Sequence, residues 1–182
     1  YLRTAGPEMY DQLVAHEIPW TDQSVKDALT YMQDIVGDSD YMAGGTEEAL
    51  QTEMPDSVGK VFIDSPEAAM VVISDFAPGV FETTLEPESG YNVFTFPAID
   101  GSGPSVVGSG DIFVQFKDSP AADAFLEYLT TPDAAAIWAE RGGFSSPNRN
   151  LDTSVYPDVL AQTTAANLAE AEEFRFDLSD LV

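Results

Sequence analysis

From residue 21 to residue 37 apolar side chains recur at helical spacing: Val25, Ala28, Leu29, Met32, Ile35 and Val36 form one stripe, Thr21 is placed to cap it and Gly37 stops it. This is the clearest helix pattern in the chain. Gly6-Pro7-Glu8 opens a shorter helical stretch to about Glu17, because proline is harmless in a first helical turn, and Ile18-Pro19-Trp20 interrupts it. After Gly44-Gly45, Thr46 is placed to cap a helix through Met54, and 55–59 reads as a turn or brief helix. Ala68-Ala69-Met70-Val71-Val72-Ile73 is a continuous, β-branched apolar run, the pattern of a strand buried on both faces. Further strand patterns lie at 91–96 and at 106–116, the latter broken by Gly108-Ser109-Gly110-Asp111.

Ser119-Pro120 and Thr131-Pro132 each set a hydroxyl cap before a proline and announce two helices in succession. Ala122, Phe125, Leu126 and Leu129 line the first; the second ends at Arg141-Gly142-Gly143 and runs into the turn-rich Phe144-Ser145-Ser146-Pro147-Asn148. Tyr156-Pro157 begins a last helix, with Leu160, Thr164, Leu168 and Ala171 on one face, and Phe174-Arg175-Phe176-Asp177 alternates like a short strand. The recurring Ser/Thr-Pro starts are unevenly spaced and read as capping chemistry, not repeats.

Charge removes whole classes of function. Asp and Glu number 32 against 7 Lys and Arg, a net charge of −25, so a polyanion would be repelled and nucleic-acid binding is set aside. With 44% hydrophobic and 11% aromatic residues the chain can still build a core. The absence of cysteine excludes disulfides, thiolate catalysis and cysteine-held metals. His16, the one histidine, lies in an acidic helical stretch with no motif around it, which leaves no Ser-His-Asp triad and no multi-histidine metal site. Glu47-Glu48, Glu86/Glu88 and Glu172-Glu173 sit in polar stretches and read as solvated faces, and 34–40 lacks the ligand order of a calcium loop. No positive signal for catalysis, a cofactor or a metal remains.

A neutral polar ligand fits better. Sugars offer hydroxyl groups to carboxylates and guanidinium, and apolar C–H faces to aromatic rings. Four places combine rings, charges and mobile backbone: Ser74-Asp75-Phe76, Gly108-Ser109-Gly110-Asp111, Arg141-Gly142-Gly143-Phe144 and Phe174-Arg175-Phe176-Asp177. On spacing alone, each is also readable as a core aromatic beside a turn glycine.

The ordered set Leu2-Arg3-Thr4-Ala5-Gly6-Pro7-Glu8, His16-Glu17-Ile18-Pro19-Trp20-Thr21-Asp22, Ala68-Ala69-Met70, Lys117-Asp118-Ser119-Pro120-Ala121-Ala122, Ile137-Trp138-Ala139-Glu140-Arg141-Gly142-Gly143-Phe144-Ser145-Ser146-Pro147-Asn148 and Phe174-Arg175-Phe176-Asp177-Leu178-Ser179-Asp180-Leu181 resembles the extracellular sugar-binding proteins of ABC importers, in particular the α-glucoside-type binders of bacteria. The resemblance runs nearly end to end. It implies an α/β, periplasmic-binding-protein-like fold of the type II, maltose-binding-protein-like kind, helix-rich around a small mixed sheet. It also implies a fragment, mainly the second lobe: 1–106 and 152–182 in that lobe, 107–151 crossing into the first.

By the same resemblance, Asp75 and Phe76 fall where a ring and polar groups cover the sugar. Gly108, Ser109, Gly110 and Asp111 fall at a crossing segment, and Arg141, Gly142, Gly143 and Phe144 at a loop facing the cleft. Arg175 and Asp177 are weaker candidates, read first as an internal ion pair. Trp20 and Trp138 are expected to pack against neighbouring helices. The implied function is non-enzymatic: carbohydrate held in an interlobe cleft and delivered to a membrane permease, outside the cell or in the periplasm, with the membrane reached only through a lipid anchor on an N-terminal segment not contained in this sequence. The rival readings are a carbohydrate-active hydrolase using Asp75 and Asp111 as an acid pair, and an acidic surface interaction module.

Overall fold

The computed structural model describes residues 1–77 and 83–180, so Leu181 and Val182, the end of the stretch assigned to the second lobe, lie outside the described residues. The chain divides into two compact units: Tyr1–Val72 with Thr95–Ser109 and Ala171–Val182, and Ile73–Phe94 with Gly110–Glu170. These bounds differ from the segments the resemblance assigns to two lobes, and one of them, between Ser109 and Gly110, falls inside the Gly108-Ser109-Gly110-Asp111 stretch. Among the described residues no helix is long and apolar enough to cross a membrane.

The first unit opens with α1, Leu2–Val14, which starts earlier than the proline pattern predicts. Gly6 adopts φ 83°, a left-handed conformation open to glycine, and so joins a short helical piece ahead of Pro7 to the main run. Leu2, Tyr10 and Leu13 are buried, and Leu13, almost wholly enclosed, contributes roughly 1.5–3 kcal/mol. His16 ends the helix at φ 56° and is exposed. Helix α2, Gln23–Val36, is capped by Asp22, not by Thr21. The Asp22 carboxylate accepts from the Ser24 amide at 2.9 Å and the Ser24 hydroxyl at 2.7 Å, two bonds a threonine one residue earlier cannot make. Of the stripe read from sequence, Val25 and Ala28 are buried while Leu29, Met32, Ile35 and Val36 are exposed. A 3₁₀ turn, Ser39–Tyr41, leads to α3, Gly45–Ala49, and α4, Met54–Gly59. Thr46 is not a cap, since Gly44 at φ 76° opens α3, and its hydroxyl instead meets that of Ser39 at 2.6 Å. Lys60 ties this region together through Glu48 at 2.6 Å and Glu67 at 2.8 Å, two carboxylate hydrogen bonds that hold its ammonium well above the ordinary lysine range.

The sheet of the described residues is one parallel pair, β1, Ser105–Gly108, and β2, Glu173–Phe176, not a mixed sheet, with Ser105 opposite Glu173 and Gly108 opposite Phe176. Helix α1 is bolted to this pair. Arg3 donates to the Gly103 and Ser105 carbonyls at 3.1 and 3.0 Å, and the Tyr10 hydroxyl donates to the Phe176 carbonyl at 2.6 Å. Arg175 forks onto Asp11 at 2.6 and 2.9 Å and reaches Glu173 at 3.1 Å. Burial pushes the Tyr10 phenol up, and the nearby Asp177 adds to it. Gly108 is closely covered: a Cβ there would lie 2.7 Å from Cε2 of the Phe174 ring, which would have to shift.

Two expected strands do not form. Residues 68–73 are irregular and half-exposed, with Val72 81% exposed, and 91–96 contribute only an isolated bridge between Pro87 and Tyr91. An apolar run becomes a strand only where another backbone edge can receive its hydrogen bonds, and the described residues supply none to these runs. Of the expected third strand, 106–116, only 106–108 pair, as part of β1, and 109–116 form no strand.

The second unit is helical. Ser119 caps α5, Pro120–Leu129, by accepting from the Ala122 amide at 3.2 Å, and Thr131 caps α6, Pro132–Ala139, through the Ala134 amide at 3.3 Å. Asp158 accepts from the Leu160 and Ala161 amides, both at 2.9 Å, at the head of α7, Val159–Glu170. The core cluster here is Ala139, Tyr156 and Ala165, flanked by Leu151, Val155 and Ala161.

Two predictions follow from charge and capping. The excess of carboxylates over cations makes self-repulsion the larger electrostatic effect, since exposed ion pairs contribute only about 0–1 kcal/mol each. Raising NaCl from about 0.01 M to about 1 M shortens the screening length from roughly 30 Å to roughly 3 Å. Differential scanning calorimetry should therefore show Tm rising with salt, and a flat or falling Tm contradicts dominance of repulsion. The second concerns Asp22, whose carboxyl the Ser24 hydroxyl and amide hold below its ordinary value of 3.8. A depressed folded-state value stabilises above the unfolded one and is lost as pH falls through the folded one. In denaturant titrations Asp22→Ala should be less stable than wild type near neutral pH, with the gap closing in strong acid; a gap independent of pH contradicts the cap.

Candidate functional site

The Arg141 to Phe144 loop is the best-defined of the sequence-predicted positions. Helix α6 ends as the Arg141 and Gly142 amides donate to the Trp138 and Ala139 carbonyls at 2.9 and 3.0 Å. Gly142 and Gly143 then take φ 73° and 66°, two successive left-handed residues that turn the chain away from the helix axis. A Cβ on Gly142 would stand 3.1 Å from Cγ of Pro157, so the turn is also packed tightly from below. Phe144 lands on Trp138, ring centroids 4.6 Å apart and planes 15° from parallel. Trp138 thus packs against a loop ring and stays 41% exposed, whereas Trp20, expected to pack on a helix, is 52% exposed.

Beside this stack lies an open groove of about 380 Å³ lined by Tyr128, Leu129, Ala134, Ile137, Trp138 and Arg141. Its walls are mostly apolar, with Tyr128 and Arg141 bringing polar ends. The side chains of Arg3, Lys60 and Arg175 are committed to carbonyls or carboxylates, but among the described residues the exposed Arg141 guanidinium, like the side-chain cations of Lys26, Lys117 and Arg149, donates to no protein acceptor. A ring face next to unused planar donors suits a ligand with apolar faces and hydroxyl oxygens. The sequence reading named Arg141 and Phe144 and passed over Tyr128, whose place on the groove depends on how α5 meets α6.

The other positions are placed elsewhere. Asp75 and Phe76 lie in a turn closed by the Ala77 amide on the Ser74 carbonyl at 3.2 Å, with Phe76 39% exposed. They share a unit with the 141–144 loop, but among the described residues no hydrogen bond, ion pair or ring contact joins the two. Gly108 and Ser109 belong to the first unit, Gly110 and Asp111 to the second. Arg175 is held by Asp11 and Glu173, not by Asp177. The Asp177 amide donates to the Gly108 carbonyl at 2.9 Å, and its carboxylate is lowered below the ordinary range by the Ser179 hydroxyl and amide.

The first unit carries a second open depression, about 500 Å³, lined by Thr4, Asp27, Thr30, Tyr31, Asp34 and Asp100. The Tyr31 hydroxyl donates to Asp100, a residue at φ 49°, and that bond raises the phenol above its ordinary range. Among the described residues no group of three or more His, Cys, Asp or Glu is arranged to hold a metal ion.

No family model matches the chain, and no solved structure matches it at a significant level. Two curated proteins do, over the whole of its length. One is the osmoprotective compounds-binding protein GgtB of Synechocystis sp., 34% identical over 182 residues; the other is the alpha-glucosides-binding periplasmic protein AglE of Rhizobium meliloti, 31% identical over 184 aligned residues. The chain spans 43% and 40% of these relatives, less than half of either. The resemblance read from the sequence is thereby borne out at the level of the relatives: matched from its first residue to its last, the chain is a homologue of solute-binding proteins.

Proposed function

We propose that this chain is part of the substrate-binding component of a sugar ABC importer, which captures a neutral mono- or oligosaccharide by ring stacking and hydrogen bonds and hands it to membrane permease subunits. The end-to-end similarity to two proteins named for binding, one of them for alpha-glucosides, carries the reading. Both relatives are binding proteins by name, which supports a role without catalysis. The geometry adds the chemistry: an uncommitted Arg141 beside the Trp138–Phe144 stack can donate to paired hydroxyls while a ring covers a sugar face. The net charge of −25 disfavours anionic ligands and so favours neutral, polyhydroxylated ones.

In this reading the ligand is a glucoside, and Asp75, Phe76 and Gly108 to Asp111 complete the site in the longer protein. Residues 107–151 then belong to its first lobe, and 1–106 with 152–182 to its second. The protein works in the periplasm or at the cell surface, held there by a lipid anchor on a preceding segment.

A thermal-shift panel on the full-length protein should show Tm rising with one or more glucosides and not with amino acids or peptides. No response to any saccharide, with a response to peptides, overturns the reading. Arg141→Ala should weaken binding of the responding sugar about ten-fold, the loss of one charged hydrogen bond of roughly 1.5 kcal/mol, with Tm of the unliganded protein nearly unchanged. An unchanged Kd in isothermal titration removes Arg141 from the site.

A further inference from the structure

We infer that the Tyr156 hydroxyl is a positioning residue for the ligand loop: it props the 141–148 segment in one shape without itself touching ligand. The inference rests on the reading above that this loop receives saccharide. Tyr156 is 4% exposed, and its ring belongs to the core cluster with Ala139, the last residue of α6, and Ala165 of α7. Its hydroxyl leaves that core to accept the Ser146 amide at 2.8 Å. Pro157, the next residue, sits under Gly142. Buried Tyr156 and the exposed Pro157 beside it therefore meet the loop at two points, Ser146 and Gly142, on either side of Phe144.

A second tether completes the frame. The Asn148 side-chain amide donates to the Thr130 carbonyl at 2.7 Å, at the corner between α5 and α6, while the Asn148 backbone amide donates to the Ser146 hydroxyl at 3.1 Å. The Asn148 side-chain oxygen accepts from the Asn150 amide at 2.9 Å, and the Leu151 amide closes on the Asn148 carbonyl at 3.1 Å. Two left-handed glycines by themselves leave a loop with many backbone states, because glycine loses the most conformational freedom on ordering. Bonds from Tyr156 and Asn148 remove that freedom in the folded protein, so ligand binding does not have to. Phe144 is thereby kept on Trp138, and Arg141 at the groove edge.

The test is Tyr156→Phe, which keeps the buried ring and removes only the oxygen, measured in the full-length protein beside Leu160→Ala as a control for stability alone. Tyr156→Phe should weaken affinity for the responding glucoside about three- to ten-fold, the range a single buried hydrogen bond provides. Amide hydrogen exchange should quicken at Ser146 and its neighbours in 141–148. Leu160→Ala should lower Tm and leave affinity in place. Wild-type affinity in Tyr156→Phe, or equal loss of affinity in the two variants, overturns the inference. If Tyr156→Phe does not fold, Asn148→Ala is held to the same expectations. If wild-type protein binds no saccharide, the proposed function falls, and exchange decides the strut: faster exchange confined to 141–148 keeps it, and unchanged or uniform exchange overturns it.

Discussion

The parallel pairing of 105–108 with 173–176 is the constraint on which the first unit depends, because it closes a long stretch of chain with only four residues on each side. Loop-closure entropy grows slowly with length, but so short a ladder offsets little of it unaided. The pair persists because α1 lies against it with side chains of three kinds. Arg3 takes the Gly103 carbonyl ahead of β1 and the first carbonyl of β1, Tyr10 takes the last carbonyl of β2, and Asp11 receives Arg175. The Phe174 ring lies over Gly108, where a Cβ would force the ring to shift. The strand ends at Gly108, just before the chain passes from one compact unit to the other between Ser109 and Gly110.

The second unit solves a similar problem with a similar part. In both, a buried tyrosine sends its hydroxyl to the main chain of another segment, the Phe176 carbonyl 166 residues on for Tyr10 and the Ser146 amide ten residues back for Tyr156. A phenol suits this role because it combines a large apolar body with one polar end that either donates or accepts.

What was legible in the sequence follows from how local each feature is. The caps at Ser119 and Thr131, the proline-opened helices and the double-glycine stop after Arg141 are decided within four residues, and they could be read. Asp22 in place of Thr21 was a one-residue error between neighbouring cap formers, settled by which oxygen reaches Ser24. The strands at 68–73 and 91–96 were misread because β structure depends on a partner elsewhere in the chain, and apolar composition says nothing about whether one is present. Candidate site residues on the 141–144 loop were visible through charge, glycine and ring together. Tyr156 was not, since its signal is a bond to an amide ten residues back that no spacing rule announces. The Arg175 fork onto Asp11 was equally invisible, because the two are brought together only by the β1–β2 pairing.

The central claim is that an uncommitted arginine and a braced ring stack at the end of α6 receive a glucoside. A crystal structure of the full-length protein soaked with the sugar that raises its Tm tests this most directly. The account predicts sugar density within hydrogen-bonding distance of the Arg141 guanidinium and against the Trp138–Phe144 stack, with the Ser146 amide still on the Tyr156 hydroxyl. Sugar bound with Arg141 and Phe144 out of reach would contradict it.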